Sequence, residues 1–302
     1  MGERICVTGA SGKAGRAVVK DLLENGYDVA ATDLVLPRED LGADVLRADL
    51  TDYGQTIETL QGAEAVVHLA NIPAPGLRTP STTFNQNMAM NFNVFMAAAA
   101  LDMARVVWAS SETTLGLPFD EPPRYAPVDE DHYPVPTTTY ALSKVASETI
   151  AKEIAGWSGI PFIALRFSNI LGPADYERFP EYWTDAELRK WNLWGYIDER
   201  DAAASCRLAL QAPAEDFTSH DSPSASFIIA AADTVMDRPS AELLNEIFPG
   251  VPLTREVSEY GTLLATDRAH KALGFVPQHS WRDHVKPPKP KPARARKTTP
   301  KA

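Results

Sequence analysis

The chain has 302 residues, of which 44% are hydrophobic and 23% charged, enough to bury a full core in one large domain or two intimate ones. No run approaches the roughly 20 consecutive apolar residues of a membrane span, and MGERICVTGA enters a strand-like run without a signal peptide, so a cytoplasmic protein with no membrane partner is predicted. The formal charge of −11 is unevenly spread: residues 286–302 carry seven Lys or Arg and no acid, leaving 22 basic against 40 acidic residues elsewhere, and so acidic a body argues against a nucleic-acid partner.

Along the chain, RICVTG reads as a strand, GKAGRAVVKDLLENG as a helix, YDVAATD and ADVLRAD as strands, QTIETLQG as a helix and AEAVVHLA as a strand. FNQNMAMNFNVFMAAAALDM then predicts a long helix, ARVVWASS a strand, the stretch from Tyr140 a helix and PFIALRFSNILG a strand. After Leu171 come an aromatic segment, FPEYWTDAELRKWNLWGYIDERD, a helix through AAASCRLALQ, a strand SFIIAAAD, and short helices around PSAELLNEIF and TDRAHKALG. This alternation predicts an α/β, doubly wound Rossmann parallel sheet over 1–170. A small C-terminal substrate cap, partly interleaved with the sheet, is expected over 171–285, and a disordered basic Pro-rich tail over 286–302. Cys6 and Cys206 lie in apolar and helical runs and make neither a disulfide framework nor a metal site.

Ligands of doubly wound folds bind at the carboxyl ends of the strands, where the sequence places GASGKAG, HLAN, ASSE and RFSN. The turn TGASGKAG has glycines spaced for a tight turn, close approach of a pyrophosphate and close helix packing. Gly9, Ser11, Gly12, Lys13, Ala14 and Gly15 are therefore candidate dinucleotide contacts. Asp33, at the end of the second strand, can accept hydrogen bonds from the adenosine ribose and would repel an extra phosphate there, which predicts NAD rather than NADP, with Arg38 nearby moderating the preference. Tyr140 and Lys144, four apart in TTTYALSKVASE, share a helix face, so an ammonium can approach a phenol.

These motifs, with Asp49-Leu50, VVWASSETTLG, YALSK, LRFSNILGP and LLATDRAHKALGFVP, resemble those of the extended short-chain dehydrogenase/reductase family, which includes nucleotide-sugar epimerases, dehydratases and sugar dehydrogenases. The resemblance runs to about Trp281. It implies that Asp49 and Leu50 contact the adenine, that Leu69 and Ala70 line the cofactor, that Asn87 supports the site from the long helix, and that Ser111, Tyr140 and Lys144 are catalytic. Tyr140 would act as base, Lys144 would lower its pKa and hold the nicotinamide ribose, and Ser111 would orient the reacting oxygen. It also suggests a homodimer through the long helices near Asn87 and Tyr140.

Two residues depart from the family pattern: Glu112 stands where small or amide residues are common, and Leu115 where an aromatic is expected. Glu112 could bind sugar hydroxyls or point away as a supporting charge. Only residues 174–194 separate LGP from GYIDERD, a compact cap similar to that of the uronate and aldose dehydrogenases of the family. The expected function is an NAD-dependent oxidation of a sugar or sugar acid; an epimerase or dehydratase with recycled NAD and a non-catalytic NAD sensor are the alternatives. Candidate substrate contacts are Asn71, Ile72, Ser111, Glu112, Thr113, Asn169 and Arg189, the last more readily read as an ordinary surface arginine. Tyr182, Trp183, Trp191, Trp194 and Tyr196 read mainly as anchors of the cap, and His68 as a satisfied core histidine. The proline-rich insert 117–136 reads as a rigid loop that could wall the pocket.

Overall fold

The computed structural model describes residues 2–119, 121–132, 134–216 and 222–285; the expectation for the basic tail, 286–302, lies outside them. Nine strands run in chain order: β1 (Arg4–Thr8), β2 (Asp28–Asp33), β3 (Val45–Arg47), β4 (Ala65–His68), β5 (Arg105–Ser111), β6 (Phe162–Phe167), β7 (Ile170–Leu171), β8 (Ile197–Asp198) and β9 (Ser224–Ile229). The helices are α1 (Lys13–Glu24), α2 (Tyr53–Leu60), α3 (Pro80–Ala100), α4 (Thr139–Ser158), α5 (Pro173–Tyr176), α6 (Glu199–Gln211), α7 (Ser240–Ile247) and α8 (Asp267–Leu273). Seven strands form one parallel sheet in the order β3-β2-β1-β4-β5-β6-β9. The order reverses at β1, where Val7 sits beside Ala31 on one side and Val67 on the other, so a crevice opens at the carboxyl ends of β1 and β4.

Both faces of the sheet are covered, which is why its strands are continuous apolar runs; all of β4 is buried. Helix α1 buries Gly15, Val18, Val19 and Leu22, one helical stripe, against a core that also takes in Ile163, Phe227 and Cys206. On the opposite face Phe95 and Ala98 of α3 and Ile154 of α4 pack with Trp108 and Phe162. Helix α4 starts where the Thr138 hydroxyl accepts from the Ala141 N–H at 3.0 Å and stops at Gly159, whose φ of 74° is left-handed. Between these limits it buries Tyr140, Lys144, Ser147 and Ala151, a period of three to four that turns one side toward β5.

A separate apolar cluster joins the irregular segment after β7 to the C-terminal part: Tyr176, Phe179, Trp194 and Tyr196 pack with Met236, Leu264 and Trp281. The strand pair β7-β8 joins the segments that enter and leave the irregular stretch, and β9, at the sheet edge, leads into this cluster through Ile228, Ala230 and Ala231. The proline-rich insert joins it too, through bridges Ala126 to Leu253 and Val128 to Leu264. Trp194 and Tyr196 are fully buried, and the Trp183 and Trp194 indoles donate to the carbonyls of Val235 and Ala186. They anchor the cap. Trp281 has no exposed surface, packs at 5.7 Å from the Phe179 ring and 5.3 Å from that of Trp183, and donates to the Thr234 carbonyl at 2.7 Å. Trp281→Ala is expected to cost about 3–5 kcal/mol, read as a lowered urea midpoint.

Candidate active site

A cleft of about 910 Å³ lies along the carboxyl ends of the strands, from Asp33 at one end to Asn169 and Trp191 at the other. At its nucleotide end, Gly9 takes a φ of +71°, and a Cβ there would lie 2.6 Å from the Ala70 nitrogen; at Gly15 it would lie 2.1 Å from the Gly9 oxygen. Only bare backbone fits this turn, which brings Gly12, Lys13 and Ala14 to the cleft wall and leaves the first turn of α1 facing the space where a pyrophosphate would lie. The Asp33 carboxylate is fixed by the N–H groups of Ser11 and Val35 at 3.0 and 3.1 Å, with lone pairs left for a ribose. Asp49, Leu50, Leu69 and Ala70 also line the cleft. The residues present therefore fit a dinucleotide. Ser11, an expected contact, does not line it, and neither does Asn87, expected as a support from the long helix. The Ser11 hydroxyl donates to the Val35 carbonyl at 2.6 Å, and Asn87, fully buried, clasps the backbone of Ile72 through both ends of its amide, at 2.8 and 3.1 Å. Asn87 shapes the wall from behind. Arg38 is exposed and away from the cleft, while Lys13 reaches across to Asp175 of α5 at 2.5 Å.

His68 is a core histidine. Its ring bonds Thr8 at 2.7 Å and Asn91 at 2.9 Å, and burial holds its pKa down to about 3. The Thr8 hydroxyl in turn accepts from the N–H groups of Leu69 and Ala70, and the Asn91 carboxamide accepts from Asn71 and donates to Ser147 of α4. This chain of polar groups fixes the cleft floor after β4.

Ser111 ends β5, and Tyr140 and Lys144 come from the buried side of α4; all three line the cleft. The Ser111 hydroxyl accepts from the Thr113 N–H and hydroxyl at 3.2 and 3.0 Å. The Lys144 ammonium donates to the Ala109 carbonyl at 2.7 Å and sits 5.7 Å from the centre of the Tyr140 ring. Burial dominates the electrostatics of both groups. It pushes the Tyr140 phenol up to about 12, against a hydrogen bond from Ser111 that favours the phenolate and with a further rise from the Glu112 charge. It brings Lys144 down to about 7, with Glu148 working the other way. Among the protein groups alone, desolvation governs the Tyr140 phenol, and Lys144 is itself weakened as a cation.

On the substrate side, Asn71, Ile72, Glu112, Thr113 and Asn169 line the cleft as expected from the sequence, and Leu117 and Pro118 bring in the proline-rich insert. Arg189 does not line it. Its guanidinium stacks on Tyr182 and Trp191, at 5.2 and 4.8 Å, and donates to the Gly195 carbonyl at 3.2 Å, behind the wall that Trp191 presents. Ser168 also lines the cleft and Asn192 donates to Glu112 at 3.3 Å; neither was a candidate from sequence. Ser168 could have been found beside Asn169 in the RFSN strand end, whereas Asn192 is aimed by a backbone reversal, with φ of 54° at Leu193 and 58° at Trp194, that no periodicity signals.

Residues 5–221 match the sequence model of the NAD dependent epimerase/dehydratase family. The chain belongs to this family. It is 31% identical to cinnamoyl-CoA reductase 2 of Arabidopsis thaliana, over 85% of this chain and 81% of that protein, and 28% identical to the L-arabinose 1-dehydrogenase (NAD(P)(+)) of Haloferax volcanii, over 76% and 89%. Among solved structures it is similar to a UDP-galactose 4-epimerase, with a TM-score of 0.68 and 27% identity over 94% of this chain and 96% of that one. Membership in this NAD-dependent family makes the chain an enzyme of the oxidoreductase or epimerase type, with NAD as its cofactor.

Within this family site, Glu112 is the most strained carboxylate electrostatically. Burial raises its pKa to about 7, partly offset by Ser168, Asn192 and the Arg189 charge. A carboxyl whose folded pKa exceeds its unfolded value of 4.5 is fully tolerated below pH 4 and destabilises the fold progressively as pH rises through 7. Glu112→Gln is therefore expected to match the wild type near pH 4 and exceed it by about 3 kcal/mol at pH 8. Denaturant melts of both proteins across that range measure the difference.

Proposed function

We propose that the protein is an NAD-dependent dehydrogenase that oxidises a free sugar or sugar acid, an aldose or uronate, at the anomeric carbon. The observation that carries this reading is the convergence of Ser111, Tyr140 and Lys144 on one cleft with the glycine turn and Asp33. The compact cap supports it: residues 174–194 spend their aromatic side chains on the cap core and bring only Trp191 to the cleft, leaving little to grip a nucleotide. The likeness to an L-arabinose 1-dehydrogenase points the same way. In this reading residues 1–170 carry the cofactor and the reacting groups, and 171–285 supply the cap.

When bound, NAD supplies the hydride acceptor and a positive charge that favours the phenolate. Tyr140 takes the proton of the substrate hydroxyl, Ser111 donates a hydrogen bond to the same oxygen, and Lys144, held by the Ala109 carbonyl, stands beside the phenol as the neighbouring cation. Thr113 holds Ser111 in place. Because Tyr140 must lose its proton and burial raises its pKa, activity gains with rising pH, a gain opposed once Lys144, held down to about 7, loses its charge. The likeness to a UDP-galactose 4-epimerase favours the second reading, an epimerase that retains and restores its cofactor.

NADH formation from NAD and a panel of aldoses, uronates and sugar phosphates tests the proposal. One sugar class should yield NADH, and Tyr140→Phe should lower its rate about 10²–10⁴-fold while leaving NAD binding intact. No NADH from any of them, with NAD retained through purification, would move the assignment to an epimerase; cinnamoyl-CoA reduction by NADH or NADPH would move it to the chemistry of the plant relative. NAD binding without turnover of any of these would indicate a sensor.

The same reading includes a homodimer formed through α3 and α4, which leave Phe92 and Leu142 exposed by 47% and 45%. Sedimentation should give twice the chain mass of 33.0 kDa, and Phe92→Glu with Leu142→Glu should give a monomer. A monomeric wild type at assay concentration removes this part of the proposal.

A further inference from the structure

The cleft is unevenly satisfied. Behind its floor the polar groups of Thr8, His68, Asn87 and Asn91 are all bonded. Among the described residues, three that line the cleft have a buried atom without a hydrogen-bond partner, Glu112 Oε2, Asn71 Oδ1 and Ser168 Oγ, and behind the wall Asn192 Oδ1 and Arg189 Nε have none either. Glu112 and Ser168 are only 3% and 2% exposed. Buried polar atoms left unpaired in a native wall are costly, and their grouping beside Ser111 points to a ligand that completes them.

The chemistry of that ligand follows from what the free atoms can do. Glu112 Oε2 in the carboxylate form only accepts hydrogen bonds, and so does Asn71 Oδ1. The orientation of Asn71 is fixed, because its amide nitrogen faces two acceptors, the Ala70 carbonyl and Asn91 Oδ1. Asn192 is oriented in the same way, by Glu112 Oε1 and the Gly195 carbonyl, and holds the other oxygen of Glu112. Such a wall needs donors. A neutral hydroxyl supplies one; a carboxylate or phosphate supplies none and is repelled by Glu112. The nearby cation, Arg189, acts on Glu112 only from behind the wall, stacked on Tyr182 and Trp191, and does not line the cleft where a ligand anion could meet it. Of the cations that do line the cleft, Lys13 is paired with Asp175 and Lys144 is committed to the Ala109 carbonyl.

We infer that Glu112 is the specificity-determining residue of the substrate half and selects a neutral polyhydroxylated substrate, an aldose over the matching uronate, with a non-reacting hydroxyl donating to Glu112 Oε2. This rests on the dehydrogenase reading above and narrows it to one of its two sugar classes.

D-galactose and D-galacturonate, with D-glucose and D-glucuronate as a second pair, differ only in whether C6 is a neutral alcohol or an anion. Their kcat/KM for NADH formation at pH 8.5, where Glu112 is ionised, should favour the aldose at least about 10-fold in the wild type. Glu112→Gln should lower kcat/KM for the aldose about 10- to 100-fold, the range expected for loss of a charged hydrogen bond, mainly through KM, and should collapse the aldose-to-uronate ratio. A wild type that prefers the uronates, or a ratio unchanged in Glu112→Gln, overturns the inference. Should that variant fail to fold, Ser168→Ala replaces it, with a loss of at least about 3-fold expected on the aldose alone and no loss counting against the inference. If the wild type forms no NADH from any of the four sugars, calorimetric titration of each into the enzyme with NADH separates the two claims. Aldose binding without uronate binding upholds the role of Glu112 while the dehydrogenase reading falls, and binding of neither overturns both.

Discussion

Lys144 carries an amine to a position where only 1% of its surface is exposed, and much of the cleft wall around it is arranged to keep it there. Burial of a cation is tolerable only with an acceptor and a compensating charge. The acceptor is the Ala109 carbonyl on β5. The charge is Glu148, one turn further along α4, which raises the Lys144 pKa against the larger effect of burial. Glu148 is itself held by both nitrogens of a fork from Arg166 on β6, at 2.9 and 2.7 Å, and by the Ser110 hydroxyl at 2.6 Å. A single face of α4 thus delivers Tyr140 and Lys144 to the cleft, Ser147 to the Asn91 network and Glu148 to the sheet. Moving the helix by one residue would break all of these at once.

That economy explains why this cluster of polar groups was legible in the sequence. Tyr140, Lys144, Ser147 and Glu148 lie on one face because 3.6 residues make a turn, and Ser111 ends a strand whose apolar run announces its direction. The sheet was legible for the same reason, since strands covered on both faces leave unbroken apolar runs. Short polar turns tied to these elements, such as the one from Gly9 to Gly15, were legible through their glycines, which the close approach to Ala70 and the reversal at Gly9 require.

Legibility fails where a side chain's direction is set by irregular backbone. Arg189 sits among aromatic residues in the sequence and was a reasonable substrate ligand, yet the turn through Leu193 and Trp194 folds it behind Trp191 and brings Asn192 forward to Glu112. The pairing of β7 with β8 escaped for a related reason: two-residue strands are too short to show a period. Asn87 marks a different limit. A position in a motif identifies a residue that matters to the site without saying whether it touches the ligand or, as here, the backbone of Ile72.

The division between satisfied and unsatisfied groups follows the same line. The cofactor side is built from regular elements and the turns that directly join them, so its buried polar groups find partners within the protein, and a fixed surface results that suits one invariant ligand. The substrate side is assembled where the strand ends meet the irregular cap, and Glu112 is presented there at the start of a 3₁₀ turn immediately after Ser111. Its backbone is held by the strand end while the carboxyl group is held by Asn192 from another segment. Changes in the cap can therefore alter what Glu112 faces without moving Ser111 at the strand end.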